Sequence, residues 1–301
     1  MTTKQKINDG LSIIICTYNR EKYIVQCIES ALLSAHNAKL PFEIIVVNNN
    51  STDSTELLLA QFSDITCLNE KQAGLSHARN RGVVNAKYRI AAFIDDDAFV
   101  DENWAKSIYN AFSDDSVGSV GGKIIPYYEV EPEDWFNEKF YSLYSILDLG
   151  DAEILFPKGY GPVGANMAVD LSKLENILFD TSLGRNGNSL LSGEEVEYLR
   201  RLKTKKLKSI YCPSAIAHHV IPKERLNKSW ALRRFYWNGV SELLSQPTIP
   251  RKSYILTRQL FNFLRGFLSG NFYRYCKSRE IISSLNHILK TIGMRTGNDK
   301  I

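Results

Sequence analysis

Four short apolar runs separated by helical spacings fill the first 95 residues, and this alternation limits the possible folds more than any other feature. Leu11–Cys16 (Leu-Ser-Ile-Ile-Ile-Cys) and Phe42–Val47 are β-branched runs of the kind buried on both faces of a sheet. Shorter strand-like runs follow at Ile65–Leu68 and Arg89–Ile94. Between them, Arg20–Ser34 sets Tyr23, Cys27, Ile28, Ala31 and Leu32 along one helical side. Thr52–Glu56 opens a second helix with Asp53 and Glu56 in a capping arrangement, and Leu75–Asn85 has the spacing of a third. Strands alternating with helices at this spacing predict βαβ units and an α/β fold, a mainly parallel twisted sheet flanked by helices.

In open sheets of that type, ligands bind beyond the carboxyl ends of the strands. Thr17-Tyr18-Asn19, Asn48-Asn49-Asn50 and Asp95-Asp96-Asp97 all fall at such ends, making one polar rim large enough for a nucleotide. The third cluster is the sharpest, because three adjacent carboxylates repel one another unless a cation neutralises them. A hard divalent ion such as Mn²⁺ or Mg²⁺, held by oxygen ligands against a phosphate, suits them. Taken alone, the aspartates could equally cap a helix starting near Asn103.

Beyond Val117 the pattern loosens. Pro126–Asp151 is rich in Tyr, Trp and acids. Gly159–Gly164 matches G-x-G-x-x-G, but it contains a proline and leads into the strand-like Ala165–Val169, so it lacks the strand–helix setting of a dinucleotide site. Gly193-Glu-Glu-Val-Glu197 opens a helix to Lys203. Its carboxylates suit the positive helix end, and they would also suit a general base. His218-His219 follows strand-like segments near Lys208–Tyr211 and Ala215–Val220, and could add a nitrogen ligand to an aspartate-held cation. Lys228–Leu244 reads as a helix and Gln246–Pro250 as a linker.

Charge is divided unevenly. Residues 251–301 carry ten Lys/Arg against Glu280 and Asp299, leaving 27 basic and 31 acidic groups in the first 250. This extension has helical spacing broken by Gly266 and Gly270. Three readings stay open for it: packing on the preceding domain, pairing in a homodimer, or lying on an anionic membrane leaflet. The five cysteines lack zinc-ligand spacing, and the polar start lacks a signal-peptide core. A cytoplasmic protein, free or seated at the inner face of the plasma membrane, is the expectation, with no nucleic-acid partner.

Together these motifs resemble a family 2 glycosyltransferase of the GT-A fold, from about residue 10 to residue 245. The resemblance rests on Ser12–Arg20, Ile44–Asp53, Gly74–Gly82, Asp95–Asp97, Gly164–Ala168 and Gly193–Glu197, in that order. The segment His218–Arg225, with Arg233, Arg234 and Gly239, is similar to bacterial members that make surface polysaccharides. It implies a GT-A domain over 1–245, with a nucleotide-sugar half at about 10–122, an acceptor half at 123–245, and a helical extension from 251.

The resemblance further implies metal-dependent, inverting transfer from a nucleoside diphosphate sugar, with uridine diphosphate favoured, to a saccharide or lipid-linked acceptor. Thr17, Tyr18, Arg20, Asn48, Asn50, Asp53, Arg79, Asp95 and Asp96 would surround the donor. Asp97 and His218 would hold Mn²⁺ or Mg²⁺, and Gly164, Ala165 and Asn166 would meet the acceptor. Glu195 would be the base, with Glu194 the alternative because Glu195 is longer than the usual aspartate. Asn48 stands where an aspartate commonly reads the nucleobase. Two other readings compete with it: a sugar-phosphate nucleotidylyltransferase, which would need a glycine-rich loop where Thr17–Arg20 stands, and a silent carbohydrate-binding scaffold.

Overall fold

The computed structural model describes residues 8–174, 177–187, 189–246, 248–267 and 271–291. The polar start, the helix break expected at Gly270, Pro247 of the expected linker and the last ten residues of the basic extension lie outside them. In chain order the elements are β1 (Asn8–Thr17), α1 (Ile24–Ala38), β2 (Phe42–Asn48), α2 (Thr55–Leu59), β3 (Thr66–Asn69), α3 (Leu75–Asn85), β4 (Tyr88–Asp95) and β5 (Ala98–Val100). There follow α4 (Trp104–Asn110), β6 (Val117–Tyr128), β7 (Ile154–Leu155), β8 (Asn166–Asp170), α5 (Glu194–Thr204), β9 (Lys208–Ile221), α6 (Lys228–Leu244), α7 (Ile249–Phe267) and α8 (Phe272–Thr291).

The strands form one sheet in the order β3-β2-β1-β4-β8-β6-β9-β5, with β7 paired to β9. The first half is parallel throughout: β1 pairs with β2 and β4, and β2 with β3. Successive residues of β1 face opposite layers. Ile13 and Ile15 join α1 and α4, while Ile14 packs with α3 and α5. Burial on both faces is why these strands are apolar without alternation. The second half is mixed, with β8 antiparallel to both β4 and β6, β6 parallel to β9, and β5 antiparallel to β9. The carboxyl ends of β1, β4, β6 and β9 therefore share a rim with the start of β8.

Three local expectations need correction. The two basic segments after residue 207 are one strand, β9, whose pairing with β6 jumps from Gly122↔Cys212 to Lys123↔Ile216. Pro213, which has no N–H to give the ladder, sits in that bulge. The expected linker is mostly consumed, because α7 begins at Ile249 and takes Pro250 into its first turn, where a missing N–H costs nothing. Gly266 does not interrupt α7.

The C-terminal helices pack against the catalytic body. Gly239 of α6 lies so close to α8 that a β-carbon there would strike the Glu280 backbone. Ser284 donates to the Gly239 carbonyl at 3.0 Å. Phe235, Cys276 and Phe140 share an apolar cluster with Ile221 at the end of β9.

Asn166 ties the second half to the first. It is fully buried, accepts from the Trp104 indole N–H (2.8 Å), and donates to the carbonyls of Lys123 (3.0 Å) and Ala215 (2.8 Å). Replacing it with alanine orphans three buried groups, each worth about 1–3 kcal/mol when left unpaired. Asn166→Ala is expected to lose about 3 kcal/mol or more in urea unfolding. A variant of unchanged stability but impaired acceptor use would instead restore Asn166 to the acceptor surface.

Candidate active site

A cavity of about 430 Å³ opens on the shared rim, lined by Cys16–Arg20, Asn49, Asn50, Asp95–Asp97, Arg185, His219 and Arg225 among others. Asp95 ends β4, and the chain then reverses through Asp96 and Asp97 into β5. The backbone pins this turn, since Val220 N–H donates to the Asp97 carbonyl at 2.8 Å.

The three aspartates have different surroundings. Asp96 is a brace: it accepts from Tyr18 N–H (3.2 Å) and Arg20 Nε (3.0 Å), and burial pushes its carboxyl up to about 6. Asp97 is also buried, but Arg225 (3.0 Å), His219 (3.2 Å) and Arg20 (3.4 Å) surround it. Burial alone would raise its pKa, and the charges of Arg225 and Arg20 hold it well below the usual carboxylate range. Asp95 is half-buried, with one oxygen 3.6 Å from Arg79 Nη2.

The histidine assignment changes. His218 and His219 are neighbours on a strand, so their rings point to opposite sides. His218 stacks on Phe99, hydrogen-bonds Asp101 (2.8 Å) and does not line the cavity. His219 is buried and faces Asp97. Its Nδ1 lies 2.9 Å from the Tyr144 carbonyl, an acceptor only, so Nδ1 carries a proton. In the neutral ring Nε2 then has a lone pair, aimed at another lone pair on Asp97 Oδ1. A proton or a metal ion between them resolves that conflict. Ligand atoms of Asp95, Asp97 and His219 lie within 4.8 Å of one another, close enough to share one ion. A histidine whose other nitrogen is fixed by a carbonyl is the usual metal-ligand arrangement. The residues therefore fit a divalent cation.

Across Arg79 stand the two glutamates at the start of α5. Arg79 is buried and donates to Glu194 at 2.8 Å. Gly164 makes room for it: a β-carbon there would collide with the guanidinium and crowd Glu195. Burial, then the charge of Glu195, pushes Glu194 up to about 8. Burial opposes ionisation of Glu195 too, but Arg79 and backbone N–H donors outweigh it and hold Glu195 below the usual range. Of the two, Glu195 is thus the ionised carboxylate and the more exposed one.

The other expected residues divide. Thr17, Tyr18, Arg20 and Asn50 line the cavity, and Tyr18 is 47% exposed at its lip. Asn48 does not line it, because its side chain accepts from Ser51 N–H (3.0 Å). Asp53 accepts from the N–H groups of Glu21 and of Thr55, the first residue of α2 (both 3.1 Å), so it braces a loop while meeting the helix start. Ala165 and Asn166 are buried beneath the site and offer no acceptor surface.

Arg185 and Arg225 were missed as cavity cations. Arg185 sits in a loop where Gly184 and Gly187 have positive φ, and only their spacing hinted at a shaped turn. Behind that loop, burial and the nearby charge of Arg185 draw Arg234 down to about 10.

A doubly wound fold with an acidic, cation-ready strand end suits a nucleotide-dependent transferase, and comparison with known proteins gives the class. Residues 12–178 match the model of glycosyl transferase family 2. The chain is 25% identical over 253 residues to glucosyl-dolichyl phosphate glucuronosyltransferase of Haloferax volcanii, spanning 81% of this chain and 79% of that protein. It is 29% identical over 181 residues to hyaluronan synthase of Pasteurella multocida, covering 58% of this chain and 18% of that longer one. Among solved structures, the Pyrobaculum calidifontis mannosyltransferase PcManGT, in complex with GDP-Man and Mn²⁺, aligns with a TM-score of 0.61 at 16% identity, over 95% of this chain and 89% of that one. S. aureus TarS 1-349 aligns with a TM-score of 0.53 at 14% identity, over 97% and 94%. This chain belongs to glycosyl transferase family 2, and the GT-A architecture expected from its sequence holds.

The raised Glu194 pKa has a definite sign in stability. Between about 4.5 and about 8 the folded state holds a proton that the unfolded state has released, so this group's contribution falls as pH rises through that window. Glu194→Gln removes the titration. Melting temperatures measured from pH 5 to pH 9 are expected to fall more steeply in the unsubstituted protein than in the variant, and parallel curves would refute the assignment.

Proposed function

We propose that this enzyme transfers a sugar, with inversion, from a nucleoside diphosphate sugar to a hydroxyl of a saccharide or lipid-linked acceptor, assisted by Mn²⁺ or Mg²⁺. The observation that carries the reading is the facing pair of His219 Nε2 and Asp97 Oδ1, with Asp95 beside them, at a nucleotide-sized cavity. Asp95, Asp97 and His219 would hold the ion, which when bound supplies Lewis-acid stabilisation of the departing diphosphate. Arg20, Arg185 and Arg225 line the same cavity and would neutralise the remaining phosphate charge. Tyr18 at the lip offers a ring face to the nucleobase.

Glu195 would take the proton of the acceptor hydroxyl as it attacks the anomeric carbon. Attack comes from the face opposite the leaving group, which inverts that centre and requires base and diphosphate site to flank the sugar. Arg79 supports this arrangement, since it touches Asp95 on one side and Glu194 on the other. Its charge also keeps Glu195 ionised and ready to accept a proton. Glu194, buried and paired with Arg79, would act by positioning that guanidinium. The name of the Haloferax relative couples a sugar to a lipid phosphate, which supports the lipid-linked form of acceptor.

Thermal-shift screening of UDP-, GDP-, dTDP- and CMP-sugars with and without Mn²⁺ identifies the donor, since ligands binding only the folded state raise its stability by mass action. His219→Ala is expected to abolish the Mn²⁺-dependent part of that shift while His218→Ala keeps it. The opposite pattern would return the ligand role to His218.

Glu195→Gln is expected to slow transfer by about 10²–10⁴ with donor affinity little changed. A larger loss in Glu194→Gln, with Arg79 still seated as judged by melting temperature, would move the base to Glu194.

A further inference from the structure

The surface of α7 turned away from the protein is apolar, and nothing among the described residues covers it. On the inner side Ile255 and Gln259 are buried, Gln259 donating to the Gly239 carbonyl at 3.3 Å. On the outer side Ile249 is 79% exposed, Tyr254 67%, Leu264 57%, Phe261 56% and Leu260 51%. At 100° per residue these five positions span an arc of roughly 140°, about the width of a core-facing helix stripe, and share it with the small exposed side chains of Ser253 and Thr257. Here that stripe faces solvent.

Arg251, Arg258 and Arg265 recur every seven residues and form a row along one border of the arc. Arg265 lies over the Phe261 ring at 5.4 Å, and Arg258 also pairs with Glu242 of α6. The helix carries no acidic residue. No described helix is long and apolar enough to cross a membrane. A wide apolar arc with aromatic residues and a basic border has the geometry of a helix lying in a lipid interface.

We propose that this face of α7 docks on an anionic membrane surface, with Leu260, Phe261 and Leu264 entering the headgroup boundary and the arginine row meeting lipid phosphates. A second copy of the chain is the weaker occupant. A two-fold contact would set each arginine row near its twin, and α7 has no carboxylate to separate them. The basic excess of residues 251–301 over the acidic remainder also favours a negative surface for this part alone. The inference rests on the exposed face and its charge, and holds whether or not the acceptor is lipid-linked.

The test is co-sedimentation of the full chain with phosphatidylcholine vesicles, with and without phosphatidylglycerol, across a salt series. Binding to the anionic vesicles, weakening as salt rises, is the expected result. Arg251→Gln with Arg265→Gln should lower partitioning by about 30-fold, because each basic residue near such a surface contributes about 1 kcal/mol. Phe261→Ser with Leu264→Ser should abolish it while leaving the melting temperature and its nucleotide-sugar shift unchanged, showing that the catalytic part is intact. Failure of the unsubstituted chain to bind at low salt would overturn the proposal, as would equal binding to neutral vesicles. A dimer that Phe261→Ser with Leu264→Ser converts to monomer would assign the face to a second copy instead.

Discussion

The site is organised around one buried cation. Arg79 has a side chain only 3% exposed, and an unpaired guanidinium at that depth would be prohibitively costly. It is therefore surrounded by compensation: the glutamate pair, Glu195 by its charge and Glu194 by accepting a hydrogen bond at 2.8 Å, then Asp95 at 3.6 Å, and the faces of Phe93 and Phe179. Each partner comes from a different part of the chain, with Asp95 at the end of β4 and Glu194 at the start of α5. Satisfying one charge thus fixes the distance between the aspartate end of the cavity and the glutamates. The same demand explains Gly164, whose missing side chain is the space the guanidinium occupies.

Much of this was legible in the sequence where local rules apply. Strands buried on both faces are apolar and β-branched, so β1 and β2 could be read directly, and α3 and α6 fall where their periodicity placed them. The DDD turn announced itself by charge alone. What stayed hidden depends on tertiary geometry. The period of a strand says that His218 and His219 diverge, but which one enters the site follows from the pairing of β9 with β5, where His219 lies opposite Ala98. Asn166 has the composition of a polar site residue, and only the meeting of Trp104, Lys123 and Ala215 around it reveals a structural role. Arg225 was visible within a family-like segment, yet its approach to Asp97 depends on how the chain turns between β9 and α6.

The pair of glutamates shows how one environment divides two like groups. Both sit at the positive end of α5, and both feel burial. Glu194 is sealed in and lies beside a second carboxylate, so it retains its proton into the neutral range. Glu195 keeps partial contact with solvent and takes the benefit of Arg79 and backbone donors. Two adjacent residues of the same type thereby hold different charge states, set by their surroundings alone.

The close seat of Gly239 against α8 bears on how the chain folds. Because α8 meets the α6 backbone there with only serine side chains beside it, α8 completes the apolar cluster around Phe235 and Phe140 that β9 begins. The last helices are thus within the cooperative unit, and cutting the chain before α7 would bare Phe235 of α6, whose ring meets Tyr273, rather than release an appendage. Contacts between residues near 140, 235 and 276 can form only after most of the chain has been made. Completion of this cluster is a late event in synthesis, and until then the surface that α8 will cover stays open to other partners.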